Sequence, residues 1–269
     1  MPLEPFSGVL QQMRFALLNE STTLDRGEWQ SLNNRPQVRV TEIHNSNFSV
    51  PVPESREGWA EMIDPNLPWA EDHFQERVGG KPLNPGEQYK NWPWYEQGVE
   101  EHKEVGTFSH TYMERFWPAV DDSDIPRWGI RFEYGDLNDL VQLLRDRPMT
   151  RQAYLPIWFP EDLAAAERGQ RVPCTLGYHF QVITGNRVSM TYFMRSCDFF
   201  RYLADDVFMA GRLLQWVVDK MNDQYLDAEP YIPSTLHMHI ANLHVFADEQ
   251  GRLEREYKTE MNRRLSSAF

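Results

Sequence analysis

The chain lacks three things that would have set its class. It has only two cysteines in 269 residues, too few for a disulfide scaffold, and no apolar leader segment, so the expectation is a reduced, cytoplasmic protein. It has no run near the roughly 18 to 20 apolar residues that span a bilayer, which excludes a membrane role. It is also short of positive charge. Its 27 lysines and arginines stand against 40 aspartates and glutamates, a formal net charge of -13. That sign is wrong for a general nucleic-acid face, whereas one small phosphate-bearing ligand needs only a few local arginines. With no internal repeat and no low-complexity linker, residues 1–269 read as a single domain, large enough to bury a substantial core.

What is present concentrates in residues 171–214. Cys174 lies behind Pro173 and ahead of a strand-like segment over 180–183. The turn Thr184-Gly185-Asn186 folds this back into a second strand over 187–194. The hairpin predicts that Arg195 returns to the neighbourhood of Cys174, where a guanidinium favours the nucleophilic thiolate. A free cysteine is equally at home as a small buried apolar group, and on these residues alone both readings stand. Apolar spacing predicts helices over 5–19, 137–145 and 199–221, the last with one wide apolar face, and a charged helix over 249–264. Residues 37–43 and 236–247 alternate like strands. Prolines, tryptophans and charges crowd 51–105 without clear periodicity, which predicts an irregular segment. His237, His239 and His244 show no zinc-like spacing, so no metal is expected.

The order of several short motifs is more specific. Pro173-Cys174, then Arg195-Ser196-Cys197-Asp198, then Asp206, then His244-Val245-Phe246 resembles the thymidylate synthase superfamily, most closely over 137–248. The run WAEDHFQERVGGKPLNP, residues 69–85, resembles its pyrimidine nucleotide hydroxymethylase branch. The resemblance implies an α/β (α+β) fold in which a large mixed sheet packs against helices and against a partner subunit. It implies a homodimer with shared active sites, a pyrimidine nucleoside monophosphate as substrate and 5,10-methylenetetrahydrofolate as cofactor. By the same resemblance Cys174 is the nucleophile and Tyr112 borders the reacting ring. Glu71, or alternatively Glu76, orders water. Arg26, Arg195, Ser196 and the partner's copy of Arg151 bind phosphate, with Arg35 and Arg39 competing for the role of Arg26. Asp198 faces the pterin and His244 holds the sugar. Gln152 and Phe246 replace an arginine and a tyrosine of the family pattern, and Trp69, Trp92 and Trp94 are available as walls for flat ligands.

Asp206 stands where uracil-specific members have asparagine, with Asp205 one residue away as the competing acid. Uracil presents an acceptor at O4 and a donor at N3, which an amide matches. Cytosine reverses the pattern. A carboxyl can accept from its 4-amino group and share a proton with N3, and that proton also assists attack on the ring. Thr175 occupies a position where methylating members commonly carry histidine. The expected activity is therefore folate-dependent 5-hydroxymethylation of a cytidine monophosphate, dCMP first. Action on dUMP or CMP, methylation, and a binding protein without turnover remain as alternatives.

Overall fold

The computed structural model describes residues 5–25, 39–93, 107–117, 135–223 and 229–267. Arg26, Arg35 and Trp94 lie outside the described residues.

The sheet is organised on its longest strand. β1 (Thr22–Asp25) and β2 (Arg39–Pro51) form an antiparallel pair. After these come β3 (Tyr154–Pro156), β4 (Thr175–Ile183), β5 (Arg187–Met194), the short β6 (Cys197–Asp198) and β7 (Ile232–Phe246). The seven-stranded sheet has the order β1-β2-β7-β5-β4-β3, with β6 also on β7. β7 runs antiparallel to β2 but parallel to β5 and β6, so the sheet is mixed, as expected. The β4–β5 hairpin closes through Thr184 to Asn186, where Gly185 and Asn186 take φ of 74° and 52°. These two residue types tolerate that left-handed backbone best.

Alternation along the strands decides which face is covered. Met190, Tyr192 and Met194 of β5, Leu236, Met238 and Ile240 of β7, and Phe48 and Val50 of β2 are buried in one core cluster. The helix over this face is α7 (Leu203–Asn222), whose buried residues include Leu203, Val207, Phe208, Leu214 and Val217. His179, Thr191, Phe193, His237 and His239 alternate with the core residues and are exposed or half-buried.

The remaining helices frame α7 and the sheet. α1 (Phe6–Asn19) packs on β2 and on the last helix, α8 (Gln250–Ser267), joined by Arg14 to Glu256 and Glu260 at 3.0 and 2.9 Å. α5 (Leu137–Asp146) begins with a capping box from Asp136 and Asp139. The segment expected to be irregular contains α2 (Arg56–Ile63), α3 (Trp69–Arg77) and a 3₁₀ turn, Gln88–Asn91. Ser55 caps α2 by accepting from Gly58 N–H at 3.1 Å. Trp59 then fills the notch at Gly211 of α7 and donates to Phe208 O at 2.9 Å. A Cβ at Gly211 would stand 2.2 Å from the Trp59 ring, so this approach requires glycine. The helix expected over 199–221 starts instead at Leu203. The Asp198 carboxylate takes the N–H groups of Phe200 and Arg201, both at 3.0 Å, and holds the chain in a turn before the helix. Residues 149–160 yield only the three-residue β3 and the start of α6 (Pro160–Glu167).

α4 (Tyr112–Phe116) is one turn long and is fixed from both ends. Thr111 and Glu114 form a capping box, and Arg115 makes a two-pronged, buried ion pair with Asp162 of α6 at 2.9 and 2.7 Å. Removing one partner strands a buried charge. Arg115→Met should therefore lower unfolding free energy by about 3–5 kcal/mol, measured by urea titration. The double variant Arg115→Met/Asp162→Leu should recover most of that loss.

Candidate active site

Cys174 sits just before β4, and the turn that carries it is held by the hairpin's far end. Arg195 N–H donates to Cys174 O at 2.8 Å, its Nε to Pro173 O at 2.8 Å and its Nη2 to Val172 O at 3.1 Å. The same Nη2 stands 3.8 Å from Cys174 Sγ. The predicted approach of Arg195 to the cysteine is thus present. Cys174 is exposed, whereas Cys197 is buried. The protein around the thiol pushes its pKa up by desolvation, Arg195 acts in the opposite direction, and Asp206 adds to the rise. The resting cysteine is therefore a thiol that a neighbouring cation prepares for ionisation, not a standing thiolate.

Thr175, the next residue, anchors a group of buried hydroxyls. Its Oγ1 lies 2.7 Å from Tyr112 Oη and 2.8 Å from Tyr192 Oη, and Tyr178 stacks on Tyr192 at 4.6 Å. Desolvation raises the pKa of all three phenols, that of Tyr178 to about 12, so they act as hydrogen-bonding groups and not as bases. Tyr112 is accordingly tied to the residue beside the nucleophile.

Asp206 enters the same group from the first turn of α7. Its Oδ2 is 3.9 Å from Cys197 Sγ, and its charge acts on Cys174, Tyr112, Tyr178 and Tyr192. Desolvation raises its pKa to about 7, opposed by Arg77 and helped by Asp205. Asp205 has different work. It accepts from Asn66 N–H and from Asn66 Nδ2, both at 2.8 Å, and so ties α7 to the turn before α3. Of the two adjacent acids, the one without a backbone partner is the one beside the cysteine.

Other expected residues lie elsewhere. Both Glu71 oxygens are taken by Arg212, at 2.8 and 3.0 Å, and Gln75 donates to Oε1 at 2.7 Å. Among the described residues no hydrogen bond or ion pair joins Glu71 to Cys174, Tyr112 or Asp206. Glu76 Oε1 accepts from Glu87 N–H and Gln88 N–H and braces that loop. Asp198 is 3% exposed. Its Oδ1 receives the two turn N–H groups and its Oδ2 receives Arg201 at 2.8 Å, with Arg201 bridging on to Glu249 at 2.9 Å. That carboxylate holds the turn. Ser196 Oγ is 3.5 Å from His244 Nδ1, so these two expected ligands are neighbours. The Phe246 ring lies under Arg201, 4.6 Å from its guanidinium carbon. Arg151 and Gln152 are exposed at the approach to β3, where Arg151 O meets His179 Nε2 at 3.0 Å. Arg39 pairs loosely with Asp25 at 3.8 Å on the surface.

The structure adds residues that sequence reading missed. Arg171 acts electrostatically on Cys174 and Tyr202, and Tyr202 is stacked on Trp92 at 5.9 Å. Arg77, 7% exposed, lies 4.0 Å above the Tyr112 ring centre and acts on Asp206. A signal for it existed, because Ala70, Phe74 and Arg77 form the buried stripe of α3, and a charge at the end of an apolar stripe is out of place unless it has work to do.

The family profile described as thymidylate synthase matches residues 83–266. The chain is also 24% identical over 127 residues to a thymidylate synthase of Rhodopseudomonas palustris (strain BisA53), an alignment covering 47% of this chain and 41% of that protein. The chain thus spans less than half the length of this curated relative.

The thiol environment is directly testable. Alkylation of the folded protein by iodoacetamide should modify Cys174 and spare Cys197. Its rate should still be climbing at about pH 9, because alkylation follows the thiolate fraction. Peptide mass mapping across pH checks this, and a plateau by pH 8 would show a depressed thiol instead.

Proposed function

We propose, on the premise that the chain belongs to the thymidylate synthase family, that it carries out folate-dependent 5-hydroxymethylation of a cytidine monophosphate, dCMP first. The observation that carries this reading is Asp206, an acid held near neutrality in the group around Cys174 while Asp205 is engaged by Asn66. A carboxyl there can accept from the 4-amino group of cytosine and share a proton with N3. Sites that hydrogen-bond a specific edge discriminate strongly, since the wrong base leaves buried groups unpaired.

Cys174 adds through sulfur to C6, and electron density moves across the ring toward N3, where the Asp206 proton is received. C5 becomes the nucleophilic carbon. Thr175 holds Tyr112 and Tyr192 beside the reacting ring. The folate, when bound, supplies a one-carbon unit at the oxidation level of formaldehyde. Stacked Trp92 and Tyr202 offer flat faces that suit its planar heterocycle. Loss of the C5 proton together with departure of tetrahydrofolate would leave an exocyclic methylene; water adds to it, and breaking of the S–C6 bond then returns the electron pair to Cys174 and restores the ring. The addition of water rests on the resemblance of residues 69–85 and on Thr175.

In this reading Ser196 binds phosphate and His244, its neighbour at 3.5 Å, holds the sugar. Arg195 contributes its charge, since two of its nitrogens are already on the carbonyls of Val172 and Pro173. In the homodimer of this reading, the exposed sheet face carrying His179, Phe193 and His239 meets a second copy, and the partner's arginine at position 151 completes the phosphate site. A second reading, methylation to a thymidylate-type product, is favoured by the name of the curated relative.

Mass analysis after incubation with methylenetetrahydrofolate separates the readings. Addition of one formaldehyde unit to dCMP is expected; a methyl product on dUMP would overturn the cytosine and hydroxymethyl assignments together. Cys174→Ala should abolish product while nucleotide still binds. Asp206→Asn should move preference from dCMP to dUMP by roughly a hundredfold or more. The pH profile follows from the pair, which must together hold one proton when substrate arrives. The value of kcat/KM for dCMP should rise as pH increases through about 7, where the fully protonated pair loses its first proton. It should stay level, then fall above the raised thiol pKa. In Asp206→Asn acting on dUMP the limb near 7 should be absent, with the rate climbing until the thiol ionises.

A further inference from the structure

Arg77 presents an anomaly. It ends the buried stripe of α3, is 7% exposed, and its Nε finds no hydrogen-bond partner among the described residues. No ion pair to its guanidinium forms among those residues either. Contrast the other buried arginine of this region, Arg115, which is fully answered by Asp162. A buried cation without a counter-ion costs several kcal/mol, so the fold places a positive charge here at a penalty. Its surroundings are the reacting group: it lies over the face of Tyr112, 4.0 Å from the ring centre, and Tyr112 is bonded to the residue after Cys174.

We propose that Arg77 is a positioning residue, the counter-ion for the carboxylate that Asp206 becomes, in the substrate complex, when it passes its proton to the pyrimidine. The inference rests on the reading of Asp206 as the acid that meets the base. The charge balance explains the need. A thiolate brings one negative charge to C6; forming the S–C6 bond moves an electron pair across the ring to N3, which takes the Asp206 proton. The negative charge that began on Cys174 thus ends on Asp206, and no net charge is gained or lost. Arg195 stands at the start of that path, 3.8 Å from the sulfur. Arg77 stands at its end. In the substrate complex that reacts, with the proton on Asp206 and the charge on Cys174, a cation beside Asp206 stabilises the adduct more than the state before attack, which is the differential that accelerates a step.

The groups facing Asp206 support this assignment. From its own helix comes Asp205, from β6 Cys197, from α4 Tyr112, from β4 and β5 Tyr178 and Tyr192, with Cys174 and Tyr202 nearby. All of these are neutral or acidic. Among the groups acting on Asp206, Arg77 is the one that lowers its pKa by charge.

The test begins with the free protein. Carbon-13 labelling of aspartate carboxyls and NMR titration should place the Asp206 transition near neutrality in the wild type, at higher pH in Arg77→Met, and back near the wild-type position in Arg77→Lys. An unchanged transition in Arg77→Met overturns the proposal. So does a transition in Arg77→Lys displaced as far as that in Arg77→Met, since a shape role alone would not be rescued by charge. If Arg77→Met fails to fold, Arg77→Gln takes its place with the same expectations. In turnover of dCMP, Arg77→Met should lower kcat by roughly tenfold to a hundredfold and move the acidic limb of kcat/KM upward. Failure of Asp206→Asn to change base preference would refute the base reading itself. A base switch combined with an Arg77→Met enzyme of wild-type kcat would refute only the role of Arg77.

Discussion

One guanidinium holds the candidate nucleophile in place. Arg195 grips three consecutive carbonyls, those of Val172, Pro173 and Cys174, through its Nη2, its Nε and its own backbone N–H. The grip exists only because β4 and β5 are in register, Ile183 opposite Arg187 at one end and Thr175 opposite Met194 at the other. That register depends on the left-handed residues Gly185 and Asn186 in the turn. A slip of one position would invert every side chain on β5, withdrawing Tyr192 from Thr175 and Arg195 from the cysteine loop. The surroundings of Cys174 are therefore a consequence of hairpin geometry before they are a consequence of any local charge.

Around that clamp, neighbouring residues of one type have diverging duties. Asp205 is bonded to Asn66 and Asp206 faces Cys197, because a helix turns about 100° per residue and sends adjacent side chains in different directions. Arg115 is a satisfied buried cation and Arg77 is not. Cys174 is open to solvent while Cys197 lies beneath Asp206. In each pair burial and partners separate the roles, and residue type alone does not.

Much of this was legible in the sequence. The hairpin, the opening helix, α5 and β7 followed from periodicity and turn residues, and the order of motifs led to a mixed α/β sheet. The proximity of Arg195 to Cys174 was read from the turn alone. Other features were hidden for identifiable reasons. α2 and α3 are short and interrupted by Pro65 and Pro68, so neither shows enough periods to stand out, and their identity is settled by Trp59 and Phe74 packing on α7. The pairing of Glu71 with Arg212 joins residues far apart in sequence, and that of Asp198 with Arg201, three residues on, depends on the turn that stands where helix was expected. Arg77 was overlooked because a helix-end arginine is ordinarily solvated.

The placement of β7 beside β2 has a consequence for biosynthesis. β2, near the start of the chain, has β1 on one edge and on the other a strand made nearly two hundred residues later, with Val40 opposite Phe246 and Pro51 opposite Thr235. While the ribosome is still at work, that edge of β2 has no partner, and the hairpin carrying Cys174 emerges without the strand that β5 will pair with. Long-range pairing of this kind folds slowly and leaves open edges exposed meanwhile. Translation must pass β7 before the sheet can close, so the frame around the hairpin that carries Cys174 is completed late.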